Sequence, residues 1–293
     1  MSSVAATPAA AGAAASAPRR RRPGTLTVFR WELRKLVSQK RTYLGFAIAI
    51  VFPLIFVLAQ HLNPDHHDNG NIFASYITKS GLATPVLMLF WESVFLLPLI
   101  AVLVAGDIVA AEDNNGTLKT ILTRSVNRGQ VFAAKMLAAS AYATAGLFLS
   151  AFTATVAGVA SWGFNPVTTF SGTVVSAPKG LLLVVAAYAF YLIPLLTIVS
   201  IGLLLSTVTR NSAAAVVGTL AFMLLLSLIT LIPGLGGLQP YLLPTEFNNW
   251  HGLLRTPTDW APIWHSAWVC ALYAVPASLG AYLVFLRRDV TGG

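Results

Sequence analysis

Long apolar runs separated by short polar stretches organise the chain. The runs lie at about 43–60, 85–105, 136–160, 180–207, 212–232 and 263–286. Each is near the ~20 residues that a helix needs to cross about 30 Å of hydrocarbon. The pattern therefore predicts an all-α integral membrane protein with six transmembrane helices. The fourth run is the longest, and Pro194 near its middle removes one backbone donor, which predicts a kink or tilt there.

The polar stretches divide into four kinds. Residues 1–24 are Ala, Ser and Pro ending in Arg19, Arg20, Arg21 and Arg22; a composition that buries no core predicts a disordered tail. Residues 25–42 place Phe29, Leu33, Leu36 and Val37 at i, i+4, i+7 and i+8, with Arg30, Arg34, Lys40 and Arg41 on other faces. This is the pattern of an interfacial amphipathic helix, leading into the first span and able to touch lipid headgroups or a partner on the same side. Residues 112–135, EDNNGTLKTILTRSVNRGQVFAAK, keep Leu118, Ile121, Leu122, Val131 and Phe132 at roughly helical spacing within a polar, basic segment. They predict short amphipathic helices docked against something. Residues 233–262 are semi-apolar, broken by Gly and Pro, and carry Trp250 and Trp260, as expected of broken, re-entrant material at a membrane interface.

Composition agrees with the pattern: hydrophobic residues make up 56% of 293 and charged residues 10%, against about 25% charged in soluble domains. The net charge of +9 would suggest nucleic acid until the basic residues are assigned to sides. With the N-terminus inside, sixteen Lys and Arg fall on the cytoplasmic side and only Lys79, Lys179 and Arg255 outside. The positive-inside bias then places both termini and the 112–135 segment in the cytoplasm and accounts for the charge without a nucleic-acid partner.

Most enzyme chemistry lacks its motif. No GxxxxGK followed by Ser or Thr cradles a phosphate, GLGG at 234–237 reads as a turn, and GxSxG is absent. His265 and Ser266 are adjacent and cannot form a dyad on one helix face. Cys270 is the single cysteine, so there is no disulfide framework or thiolate cluster. His61, Asp65, His66, His67 and Asp68 have ligand chemistry without a fixed spacing, and a solvated loop accounts for them. Within the second run, Glu92 is the acid that stands out. A carboxylate there costs roughly 2.5 kcal/mol or more unless protonated, paired or facing water. Two readings stand: a hydrogen bond to a neighbouring helix, or a substrate path lined with Trp91. Asp107 lies near the cytoplasmic end, where solvent suffices.

With these residues in place, the 112–135 segment resembles the cytoplasmic loop between spans two and three of type-2 ATP-binding-cassette (ABC) permeases. Glu112, Gly116, Thr117, Leu118, Leu122, Arg124, Arg128 and Lys135 match that loop's features, while Ser125 stands where proline is usual and Ala134 where glycine is usual. STVTRNSAAAVV from Ser206 is similar to the family's short turn between spans four and five. The broken segment at 233–262 is similar to its outer re-entrant helices.

The resemblance covers about 25–288. It implies a multi-pass permease subunit of an ATP-driven exporter in the bacterial plasma membrane, paired with a second permease copy and two separate ABC ATPase subunits. It implies no cofactor in this chain, with ATP and Mg on the partner ATPase and hydrolysis there rather than here. Glu112, Gly116, Thr117, Leu118, Arg124, Arg128 and Lys135 would couple to that ATPase, offering surface charges for it to pair. Few ionisable groups in the spans suit an amphipathic cargo such as a drug, antibiotic, peptide or lipid-like molecule. An ion-coupled secondary transporter using Glu92 and a non-transporting assembly or sensor protein are the alternatives.

Overall fold

The computed structural model describes residues 24–62, 76, 79–116 and 127–287. The order is α1 (Thr25–Val37), α2 (Lys40–Leu62), α3 (Ala83–Glu92), α4 (Leu96–Ala105), α5 (Ala110–Asn114), α6 (Arg128–Trp162), a short hairpin of β1 (Val167–Thr168) and β2 (Val174–Val175), α7 (Ala177–Thr209) and α8 (Ser212–Ile229). Three short pieces follow, a 3-10 turn (Gln239–Tyr241), α9 (Leu243–Glu246) and a second 3-10 turn (Asn249–Leu254), before α10 (Ala261–Arg287). Helices α2, α6, α7, α8 and α10 are each long and apolar enough to cross a membrane; a sixth crossing is added if α3 and the helix that follows it count as one span.

That pair departs from the single straight span expected over 85–105. It bends by 60° at a break of three residues, Ser93 to Phe95. The cause lies in the chain: Pro98 has no N–H to offer the carbonyl one turn back, and Phe95 leaves the helical region at φ −132°. The break is held from α7, where the Tyr191 hydroxyl donates to the Ser93 carbonyl at 2.6 Å and the Tyr188 hydroxyl donates to the Pro85 carbonyl at 3.0 Å. Pro194, by contrast, lies inside an unbroken α7 of 33 residues, about 50 Å long at 1.5 Å per residue.

The exposure pattern inverts that of a soluble bundle. Helix α2 buries Thr42, Gly45, Ala49, Pro53 and Val57, a stripe at three- and four-residue spacing, and exposes Leu44, Val51, Leu54, Ile55 and Leu58. Helix α8 buries Ala215, Thr219 and Met223 and exposes Val217, Leu224, Leu225 and Leu228. Small residues inside and large apolar residues outside are the build of a multi-pass helical membrane protein, because lipid replaces water as the surrounding solvent. Backbones approach closely where the turn into α3 crosses α6: a Cβ on Gly81 would sit 2.2 Å from the Gly158 carbonyl oxygen and one on Gly158 would sit 2.4 Å from that of Gly81.

Two elements extend the sequence expectation. The hairpin, unforeseen, forms where β-branched residues flank Ser171 and Gly172, with Gly172 at φ +77° closing the turn. The 233–262 stretch is broken into the three short pieces, and Leu243, Phe247 and Trp250 are buried in the main core.

Candidate functional site

Six ionisable groups converge where α1, α5, the base of α6 and the first turn of α2 meet. Local chemistry sets each element. Helix α1 ends at Ser38, whose hydroxyl donates to the Lys35 carbonyl at 2.7 Å, and Thr42 from the first turn of α2 reaches back to the Leu36 carbonyl at 2.6 Å. Helix α6 starts with an Asn127–Gln130 capping box, the Asn127 side chain accepting from the Gly129 N–H at 3.1 Å. Helix α5 stops at Asn115 and Gly116, the glycine at φ +68° in open space, a left-handed residue just past a helix end. The four-residue link into α5 is fixed by Ser206 of α7, whose hydroxyl accepts from the Val109 and Ala110 N–H groups at 3.2 and 3.0 Å.

The charges then pair in a chain. Lys135, fully buried, directs its ammonium at Glu32 of α1 (3.0 and 3.1 Å), at Glu112 of α5 (2.7 Å) and at the Ile108 carbonyl (3.2 Å). Glu112 also pairs with Lys35. Asp107 pairs with Arg41 and accepts from the Ser212 hydroxyl at the start of α8. Three cations thus meet three carboxylates, and the formal charge of the cluster is zero. Buried charges require this, since any one left alone in a dry site is strongly destabilising. Just outside, Arg210 lies 3.8 Å from Asp113.

The sequence expectations fare unevenly here. Glu112, 2% exposed, and Lys135 are internal ties, where surface charges open to a partner were expected. Asp107 was expected to face solvent and is 3% exposed and paired. Arg128 and Lys135 belong to the first two turns of α6, not to separate short helices, and the Arg128 guanidinium caps the C-terminal end of α10 at the Leu286 carbonyl, 2.8 Å. Thr117, Leu118 and Arg124 lie outside the described residues, as do residues 1–23 and the Asp65, His66, His67 and Asp68 stretch. Glu32, Lys35 and Arg41 were missed as site residues. The signal was present: Glu32 is the single acid in a basic amphipathic helix, three residues from Lys35.

Trp91 and Glu92 point apart: Trp91 is 57% exposed and Glu92 is fully buried. Ser150 of α6 donates to one Glu92 oxygen at 2.5 Å, the interhelical hydrogen bond that was one of the two expected readings. The other oxygen has no partner among the described residues. A second buried acid, Glu246, accepts from Asn249 at 2.5 Å and lies 3.2 Å from His265 Nδ1; burial pushes its carboxyl up. Among the described residues no three His, Cys, Asp or Glu side chains are grouped to hold a metal ion.

A family model described as a protein of unknown function (DUF2705) matches residues 48–291. The chain belongs to the DUF2705 family. The match runs from within α2 past the end of α10, with Glu92, Asp107, Glu112, Gly116 and Lys135 inside it; Glu32 and Lys35 of α1 and Arg41 in the first turn of α2 lie before it. No curated protein matches this DUF2705 chain.

Proposed function

We propose that this DUF2705 protein is the membrane subunit of an ATP-driven exporter of the type-2 ABC kind, with α3 and α4–α5 forming one broken span among six. In this reading the N-terminus, the 112–135 segment and the C-terminus face the cytoplasm. A separate ATPase, present in two copies, grips the 112–135 segment and α1, and two permease copies enclose the path of an amphipathic substrate.

The observation that carries the reading is the ion cluster. A motor outside the membrane moves the spans only through something stiff at their base. Lys135 joins α1, α5 and the base of α6 through one ammonium group, and Asp107 extends the tie to α2 and α8. A push on α1 or on the Glu112–Gly116 corner therefore reaches the long helices without first bending a loop. Glu112 and Lys135 act in this scheme as positioning residues of the lever, and the partner meets the residues around it.

The test is co-purification followed by coupling. The detergent-extracted chain is expected to bring down a soluble Walker-motif ATPase whose hydrolysis rises with transport substrate. Glu112→Gln with Gly116→Ala should leave the protein inserted while uncoupling hydrolysis from export. Normal export by a well-expressed double variant, or transport by the chain with no ATPase bound, would overturn the proposal, the second in favour of an ion-coupled carrier.

A further inference from the structure

At the end of α7 remote from the ion cluster, α3, the β-hairpin and the second 3-10 turn surround a half-open cavity of about 260 Å³. The separation follows from α7 itself, which touches the hairpin at Gly180 and the α5 link at Ser206. Four rings form the cavity wall: Phe90, Phe170, Trp250 and His251. His251 is central, stacked on Phe90 at 6.0 Å between centroids, edge-on to Phe170 at 5.2 Å and edge-on to Trp250 at 4.2 Å. Two ring nitrogens in this wall, Trp250 Nε1 and His251 Nε2, are buried and have no hydrogen-bond partner among the described residues. Trp250 itself is fully buried. Buried polar nitrogens are ordinarily satisfied, so a pair of them in the wall of an aromatic cavity points to a polar occupant, and the Trp250 indole N–H requires that it supply an acceptor.

Charge narrows the occupant further. Arg255 lines the cavity and is loosely paired with Asp259 at 3.5 Å, which leaves most of its five N–H donors for another anion. Burial and the neighbouring Arg255 push His251 down to about 4, so the imidazole is neutral at pH 7 and Arg255 is the charged group lining the cavity. The volume falls just under the roughly 300–1,000 Å³ of sites for drug-sized ligands, which suits one or two fused rings.

We propose that this cavity is a binding site for a small aromatic anion, its ring packed among Phe90, Phe170 and His251 and its acidic oxygens taken by Arg255 and the Trp250 N–H. The site does not depend on coupling to an ATPase, and its test is one of binding.

The full chain in phosphatidylcholine nanodiscs is titrated with 2-naphthoate by saturation-transfer NMR. Saturable binding is expected, weakened about tenfold by Arg255→Ala, the loss that one charge-assisted hydrogen bond predicts, and weakened also by Phe90→Ala. The neutral 2-naphthylmethanol should bind the unaltered protein no better than 2-naphthoate binds Arg255→Ala. Arg255 is exposed, so that variant folds even where Trp250→Phe does not. Equal signals from the unaltered protein and both variants would mean partition into the bilayer and would overturn the proposal. Loss of 2-naphthoate binding when phosphatidylglycerol is added to the nanodisc would also overturn it, by assigning the anion site to a lipid headgroup.

Discussion

Lys135 Nζ lies 3.0 Å from Glu32 Oε1, two residues 103 positions apart, with the lysine fully buried. The same ammonium reaches Glu112 at 2.7 Å, so one side chain fastens α1 and α5 to the base of α6.

Removing that side chain leaves carboxylates buried without their cation. Lys135→Met is expected to destabilise the protein by about 3–5 kcal/mol, read as a lower melting temperature of the purified protein. Glu32→Gln combined with Lys135→Met should lose less than the sum of the two single losses, because the groups share one network. Additive losses would mean that the two do not interact.

The α3–α6 crossing makes a sharper packing prediction. Gly81→Ala and Gly158→Ala each drive a Cβ to within 2.4 Å of a backbone oxygen, a clash that no rotamer relieves. Both are expected to reduce the yield of monodisperse protein in size-exclusion chromatography. Gly237→Ala, with nothing within 4 Å, should leave it unchanged.

His251 predicts a pH dependence. Its ordinary value is 6.5 and its folded value about 4, with burial the larger cause and Arg255 the second. Between these values the unfolded chain binds the proton and the folded chain does not. Stability from this residue is therefore full above about pH 6.5 and is lost as the pH falls towards 4. Glu246, pushed up by burial, contributes with the opposite sign, since the folded state there holds its proton more tightly. The difference in melting temperature between the unaltered protein and His251→Phe, followed from pH 7.5 to about pH 4.5, isolates the histidine. It should shrink or reverse on acidification; a constant difference would refute the burial of a neutral imidazole.

Glu92 separates a structural acid from a working one. Glu92→Gln keeps an acceptor for Ser150 and is expected to melt near the unaltered protein, whereas Glu92→Ala strands the Ser150 hydroxyl and should cost about 1–3 kcal/mol. Transport by Glu92→Gln at the normal rate would remove this carboxyl from the substrate path.

The helices were legible because their signals are local. Run lengths near twenty residues and the proline and glycine breaks of 233–262 can be read within a few residues of each other. The break at Ser93 was missed although Pro98 was in plain view, because an apolar run reads the same whether it is straight or bent by 60°. The hairpin was missed because two-residue strands carry too little alternation to stand out. At the site, Glu112, Gly116 and Lys135 were picked out, and the burial of Glu112 and Lys135 was not.

By itself the sequence determined an all-helical chain of long apolar segments and the excess of basic residues around its polar stretches, since hydropathy and charge are properties of the residues in order. Only the tertiary structure decided that Lys135 sits between Glu32 and Glu112, that Asp107 meets Arg41 and Ser212, and that Phe90, Phe170, Trp250 and His251 enclose one cavity. The physical reason is distance along the chain: apart from the neighbours Trp250 and His251, these partners are separated by 23 residues or more, and no local periodicity carries the information of which helix faces meet. That information lies in side-chain volume and backbone approach at crossings such as Gly81 and Gly158, which become visible only when the helices are packed.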